Sequence, residues 1–384
     1  MKIFLANEIQ EKKILGRAKV LEDSIAIFWS ASGIELNVRA SELWARIDSD
    51  FSTHEVWIAI FIDGAQTARL MLNKGQNEIC VFRNMNPDVE KNVRIYKETQ
   101  AMGCDVRHKM ILKNFRTDGI FLPVKSAKLK IEFIGDSITS GEGAVGAKIE
   151  RDWISAFFGA TKTYAFKLAQ ILGADFNVIS QSGWGVVTGY DNDTSHAIPA
   201  YYEKTCGVMR GAENEILGAQ TEWNFSLWQP DLIIVNLGTN DQGAFWNPPC
   251  AKTNFKMKLC ADGTPEKSSA EFFEKGVLEF LGLLRAKNPC AKIFWCYGMM
   301  GRLLEKNIEA ALALYKKQSG DANAHFILLP EIDLEECGAL SHPSEAQHEI
   351  AARFLHEKIA SYFAQPSIAA GNRKIKPFDS RARE

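Results

Sequence analysis

The sequence of 384 residues contains no apolar run long enough to span a bilayer, and none of its eight cysteines forms a C-x-x-C pair. The first absence argues against a membrane-spanning helix, which needs about 20 apolar residues in succession. The second removes the commonest redox and zinc-ribbon signatures. Charge of one sign is lacking too: 45 basic residues face 47 acidic ones, and a net charge of −2 gives no reason to expect a nucleic-acid or membrane-surface partner. No glycine-rich phosphate loop follows a strand, so no nucleotide is implied. His348 lies six residues after His342, neither i+3 nor i+4, so a helical two-histidine metal site is not expected. No cofactor and no metal are therefore expected. The opening MKIFLANEIQEKK holds only a five-residue apolar stretch, too short for a secretory h-region. With Cys80, Cys104, Cys206, Cys250, Cys260, Cys290, Cys296 and Cys337 scattered along the chain, reduced thiols and a cytoplasmic location are the expectation.

What is present divides into two halves. Apolar residues make up 46% of the chain, enough for substantial cores. Over residues 1–125, short strand-like runs (SIAIFWS, GIELNVRA, EVWIAIFID, TARLMLN, NEICVFR, NVRIYKE) are separated by turn signals at Ser32-Gly33, Asp63-Gly64, Lys74-Gly75 and Asn86-Pro87. Asp63-Gly64 reads as a hairpin turn. This spacing predicts a β-sandwich, jelly-roll-like. From 128 to 365 the period changes. KIEFIG, FNVIS, LIIVNLG, KIFWCYG and HFILLP alternate with helical stretches, predicting a three-layer α/β domain on a parallel sheet. Residues 366–384 form a polar, basic tail.

In open parallel sheets the chemistry gathers at the carboxyl ends of the strands. Three predicted strands run into clusters of small polar residues: Asp136-Ser137-Ile138-Thr139, Gln181-Ser182-Gly183-Trp184 and Gly238-Thr239-Asn240-Asp241. A fourth group, Ser341-His342-Pro343-Ser344, stands before the last amphipathic helix. A serine hydroxyl at a strand-to-helix turn is exposed but needs a base, and His342 is the candidate. A developing oxyanion needs donors already in place, and the N–H groups of Ser137 and Gly183 with the amide of Asn240 offer three. Asp136 reads as a cap within the turn.

In this order these blocks resemble those of the SGNH (GDSL-like) hydrolases, over about residues 128–365. Ser137 stands in a GDSI version of the nucleophile block, Gly183 and Asn240 (in NLGTND) match the family glycine and asparagine, and His342 matches the family histidine. With the sandwich in front, the architecture resembles carbohydrate esterase family two, which removes acetyl groups from sugars. The resemblance implies a serine esterase acting through an acetyl-enzyme on Ser137, with an acetylated sugar or oligosaccharide as substrate. One departure stands out. Many relatives carry an aspartate three residues before the histidine, where this chain has Ala339. Either a Ser–His dyad works with a backbone carbonyl holding the imidazole, or Glu335 or Glu336 substitutes.

Around the motifs, Trp153, Trp184 and Trp246 lie in loops. Trp184 and Trp246 are the candidates for stacking a sugar ring, with loop packing as the alternative. The long polar stretch from Asp241 to Asp262 reads as a lid or a disordered loop. Two other classes stay open: a lipase, thioesterase or acetyltransferase acting on other acyl groups or acceptors, and a non-catalytic carbohydrate-binding protein.

Overall fold

The computed structural model describes residues 1–364 and is built on three sheets. The expected tail from residue 366 lies outside the described residues. Two six-stranded antiparallel sheets form the front half. One orders Ala18–Val20, Ile25–Ile27, Lys109–Thr117, Leu43–Asp50 and Gly75–Phe82, with Lys2–Leu5 also on Lys109–Thr117. The other orders Ile120–Leu122, Gly33–Arg39, Glu90–Lys97, Trp57–Ile62 and Ala65–Met71, with Lys13–Leu15 on Gly33–Arg39. Strict alternation explains the stacking. In Leu43–Asp50 every second residue is buried, and Leu43, Ala45 and Ile47 meet Ile34, Leu36, Ile60 and Val93 from the facing sheet in one apolar core. Each large aliphatic side chain buried there contributes about 1.5–3 kcal/mol. Asp63 and Gly64, with φ of 51° and 84°, close the hairpin between Trp57–Ile62 and Ala65–Met71.

The second half is a five-stranded parallel sheet in the order Asp175–Ser180, Lys130–Gly135, Leu232–Asn236, Lys292–Tyr297, Ala324–Leu328. Both faces are covered, as near-continuous apolar strands require. Helices Lys267–Lys287 and Glu305–Ser319 lay Phe273, Val277, Ile308 and Ala311 on Ile233, Val235 and Ile293. Helices Tyr164–Leu172 and Glu345–Ala364 lay Leu168, Ala351 and Leu355 on Ile131, Phe133 and Ile234 of the opposite face.

The halves are joined by buried polar contacts as well as by apolar ones. Arg17, fully buried, pairs with Glu132 of the Lys130–Gly135 strand at 3.1 Å, and its guanidinium also donates to the carbonyls of Tyr202 and Lys204. The indole of Trp29 donates to Thr205 O at 2.7 Å, and its ring belongs to the apolar core of the second half. Among the described residues, no helix is long and apolar enough to cross a membrane.

Candidate active site

The strand Lys130–Gly135 runs between Asp175–Ser180 and Leu232–Asn236, with Gly135 registered on Ser180 and Asn236. Three of the polar clusters therefore leave the sheet side by side. Directly after Gly135 the chain turns into the short helix Ser137–Ser140, capped by Asp136, whose Oδ1 accepts from Ile138 N at 3.0 Å. Asp136 is fully buried. Burial pushes its carboxyl up to about 7; the nearby carboxylates of Asp241 and Glu142 push the same way, while the Ile138 N–H opposes them. Ser137 opens the helix and is only 6% exposed.

His342 comes from the far end of the sequence and places Nε2 2.9 Å from Ser137 Oγ. It lies in extended backbone after the turn Ala339–Ser341, three residues ahead of the helix that begins at Glu345, rather than opening that helix. Its Nδ1 sits 3.0 Å from the carbonyl of Leu340, which fixes the tautomer: Nδ1–H donates there, and Nε2 is left free to accept the serine proton. Leu340 and Ser341 both have φ of 57°, a backbone that non-glycine residues seldom adopt, and this unusual turn aims the carbonyl at the ring. Ala339 is buried beside Gly146, and a Cβ on that glycine would lie 2.4 Å from the alanine methyl, so Gly146 has no room for a side chain. Glu335 is 85% exposed on its side chain and pairs with Lys148; Glu336 is exposed as well. Neither is a ligand of the histidine. Sequence reasoning passed over Glu142, which follows Gly141 at the end of the serine helix. It is buried, its N–H donates to Ser137 O at 3.0 Å, and its Oε1 lies 3.8 Å from His342 Nε2. It offers a counter-charge to the imidazolium once the proton has moved.

Gly183 has φ of +80°, and a Cβ there would come within 3.1 Å of the Tyr190 ring, so glycine alone fits without strain. Among the described residues its N–H has no acceptor. Asn240 donates from Nδ2 to Trp184 O at 3.0 Å and more loosely to Asp136 Oδ2 at 3.3 Å. Asp241, also missed as a functional support, is buried. Its carboxylate accepts from the N–H groups of Val186, Val187 and Thr188, clamping the chain just beyond Gly183. Burial raises its pKa to about 6 against the pull of those N–H groups.

Beside Gly183 opens a cleft of about 320 Å³, lined by Trp184, Tyr190, Asp191, His196, Tyr201 and Trp153 among others. Trp184 stacks on His196 with ring centroids 5.1 Å apart, which leaves a broad aromatic wall. Trp153, expected to pack in its loop, does so edge-on against His54 and Phe158, yet also faces the cleft. Trp246 lies elsewhere. It is 64% exposed just beyond the helix Thr239–Ala244, against Phe245, and is absent from the cleft lining. The stretch Asp241–Asp262 is neither a free lid nor a loose loop. It starts in that helix, and the buried Asn192 side chain ties it down through Ala244 O, Pro248 O and Met257 N.

His348 is fully buried, with Nδ1 accepting from Tyr164 N at 3.2 Å, and burial drops its pKa to about 3. Asp191, Asp193 and His196 bring potential ligand atoms within 4.8 Å of one another. Their carboxylates are already engaged, Asp193 by Ser195 and Lys252, and Asp191 by His196 and the Asp193 N–H.

A parallel α/β sheet with a Ser–His pair at its carboxyl edge and an antiparallel β-sandwich in front defines a two-part protein of the SGNH-hydrolase fold. The chain belongs to the GDSL-like Lipase/Acylhydrolase family, whose profile matches residues 133–350. The profile of the Carbohydrate esterase 2 N-terminal domain matches residues 14–114. Among solved structures, an acetyl xylan esterase from the rumen bacterium Butyrivibrio proteoclasticus is 40% identical with a TM-score of 0.92, covering 94% of this chain and 98% of that one. The cellulase/esterase CelE of Acetivibrio thermocellus is 26% identical over 86% of this chain and 37% of its own length. An acetylxylan esterase / glucomannan deacetylase of Cellvibrio japonicus is 27% identical over 60% of this chain and 61% of its own. The chain thus spans less than two thirds of either curated relative.

Proposed function

We propose that this chain is a serine esterase that removes O-acetyl groups from carbohydrates. The observation that carries this reading is the 2.9 Å contact between Ser137 Oγ and His342 Nε2, with the other ring nitrogen pinned by the Leu340 carbonyl. Ser137 Oγ attacks the ester carbonyl while His342 takes its proton. The oxyanion is met by the N–H groups of Ser137 and Gly183 and the amide of Asn240. Collapse breaks the bond to the sugar oxygen, which leaves as a hydroxyl with the proton that His342 took from Ser137. Water then attacks the acetyl-enzyme with His342 again as base, releasing acetate and free serine. The likeness to esterases named for acetylxylan and glucomannan supports an acetylated polysaccharide or oligosaccharide as substrate, with Trp184 as the platform for its ring. A cytoplasmic location remains part of the proposal, consistent with eight free thiols; cell fractionation that recovers the protein outside the cytoplasm would overturn it.

Acyl-chain length gives the direct test. Each methylene that a shallow acyl site refuses should cost about 1–3 kcal/mol in kcat/KM. Activity on p-nitrophenyl esters is therefore expected to fall steeply from acetyl to butyryl and to be negligible at octanoyl. Acetylated xylose or glucose should release acetate, and Trp184→Ala should harm those substrates more than the small ester. A preference for octanoyl would move the chain to the lipase and thioesterase side of its family.

The oxyanion assignment has its own signature. Asn240→Ala is expected to lower kcat by roughly 10²–10³ with little change in KM, because the amide meets charge that exists mainly in the transition state. A raised KM at constant kcat would make Asn240 a ground-state binder instead.

A further inference from the structure

The sandwich strand Glu90–Lys97 does not end at a surface loop. The residues that follow it, Glu98, Thr99, Gln100, Ala101 and Met102, are all fully buried. Glu98 accepts from Thr161 N at 3.1 Å and from the Thr161 hydroxyl, in a segment packed beside the serine helix. Lys97 turns its buried ammonium back onto the carbonyls of Thr99 and Gln100. Ala101 joins the apolar core of the catalytic half. Held this way, Gln100 reaches across with Oε1 and accepts from the Ser182 N–H at 2.7 Å.

Ser182 immediately precedes Gly183. A glycine at φ +80° imposes little direction of its own, so the aim of its N–H is set by what anchors the flanking peptides. After the glycine, Tyr190 N holds Gly183 O at 3.1 Å and Asp241 holds residues 186–188. Before it, Gln181 N is tied to Gly135 O at 3.2 Å. At Ser182 itself the bond comes from the other half of the molecule. We propose that Gln100 is a positioning residue for the oxyanion hole, making the front sandwich a working part of the catalytic site and not only a neighbour of it. This rests on Gly183 acting as an oxyanion donor, as in the function proposed above.

Gln100→Met keeps the length of the side chain and removes its acceptor. It is expected to lower kcat on p-nitrophenyl acetate by about 10–10²-fold, since small displacements of catalytic groups cost that much, while KM moves less than about threefold. A boronic acid that mimics the tetrahedral intermediate should lose affinity in step with kcat, whereas acetate binding should not change; a merely structural role would not split the two. Should Gln100→Met fail to fold, Gln100→Asn, which withdraws the amide by one methylene, asks the same question. An undiminished kcat in the folded variant, or a loss of kcat that the boronate affinity does not register, overturns the positioning role. A wild-type protein that neither hydrolyses p-nitrophenyl acetate nor is labelled on Ser137 by an organophosphate overturns the esterase reading instead.

Discussion

Ser137→Ala is expected to remove ester hydrolysis almost completely, with a loss in turnover on the order of 10⁶, and to leave the fold in place. Both halves of that expectation follow from the local structure. Among the described residues the hydroxyl has one partner, Nε2 of His342, and it takes no part in capping the helix that it opens; Asp136 does that. Alanine is a good helix former, so the turn should tolerate it. Circular dichroism and a melting curve would verify the fold, and mass spectrometry after organophosphate treatment should place the adduct on Ser137. Labelling at another serine, or a variant that still turns over well, would refute the assignment.

His342→Ala should cost nearly as much, because serine and base act as a unit and losing either member forfeits most of what the pair contributes. The informative contrast is with the nearby acids. Removing a true third member typically costs about 10⁴. Glu335→Gln and Glu336→Gln are each expected to cost less than about tenfold. Glu335 is exposed and paired with Lys148, and the Nδ1 position that a third member would occupy is taken by Leu340 O. A loss near 10⁴ in either variant would mean that the loop rearranges to bring a carboxylate onto the ring.

The strands and helices of the catalytic half were legible because parallel strands buried on both faces read as plain apolar runs, and their helices are long and amphipathic. The sandwich was legible only in part. Leu43–Asp50 alternates cleanly in the structure, yet its outward Trp44, Arg46 and Asp48 dilute the apolar signal. Lys109–Thr117 carries a register shift between Leu112 and Asn114, and an extra residue there breaks a period-two pattern. At the site, Ser137, Gly183, Asn240 and His342 could be found because each stands in a short block with its own signature. Glu142 and Gln100 had none, and the backbone carbonyl expected at the imidazole had no residue number until the turn placed Leu340 O there. A buried acid and a glutamine reaching across from the other half acquire meaning only when distant segments meet. Trp246 shows the converse: proximity in sequence to NLGTND did not carry the ring to the cleft.

The Arg17–Glu132 pair bears on whether the two halves can be separated or exchanged. Glu132 lies in a central strand of the catalytic sheet, 1% exposed, and its counter-ion is supplied from the sandwich. Breaking a buried pair from one side typically costs about 3–5 kcal/mol, a large share of the roughly 5–15 kcal/mol that holds a domain folded. A catalytic half excised or recombined as a cassette would keep the acid and lose the base. To host a different front module, it would have to receive a cation at the same point in space or first give up Glu132.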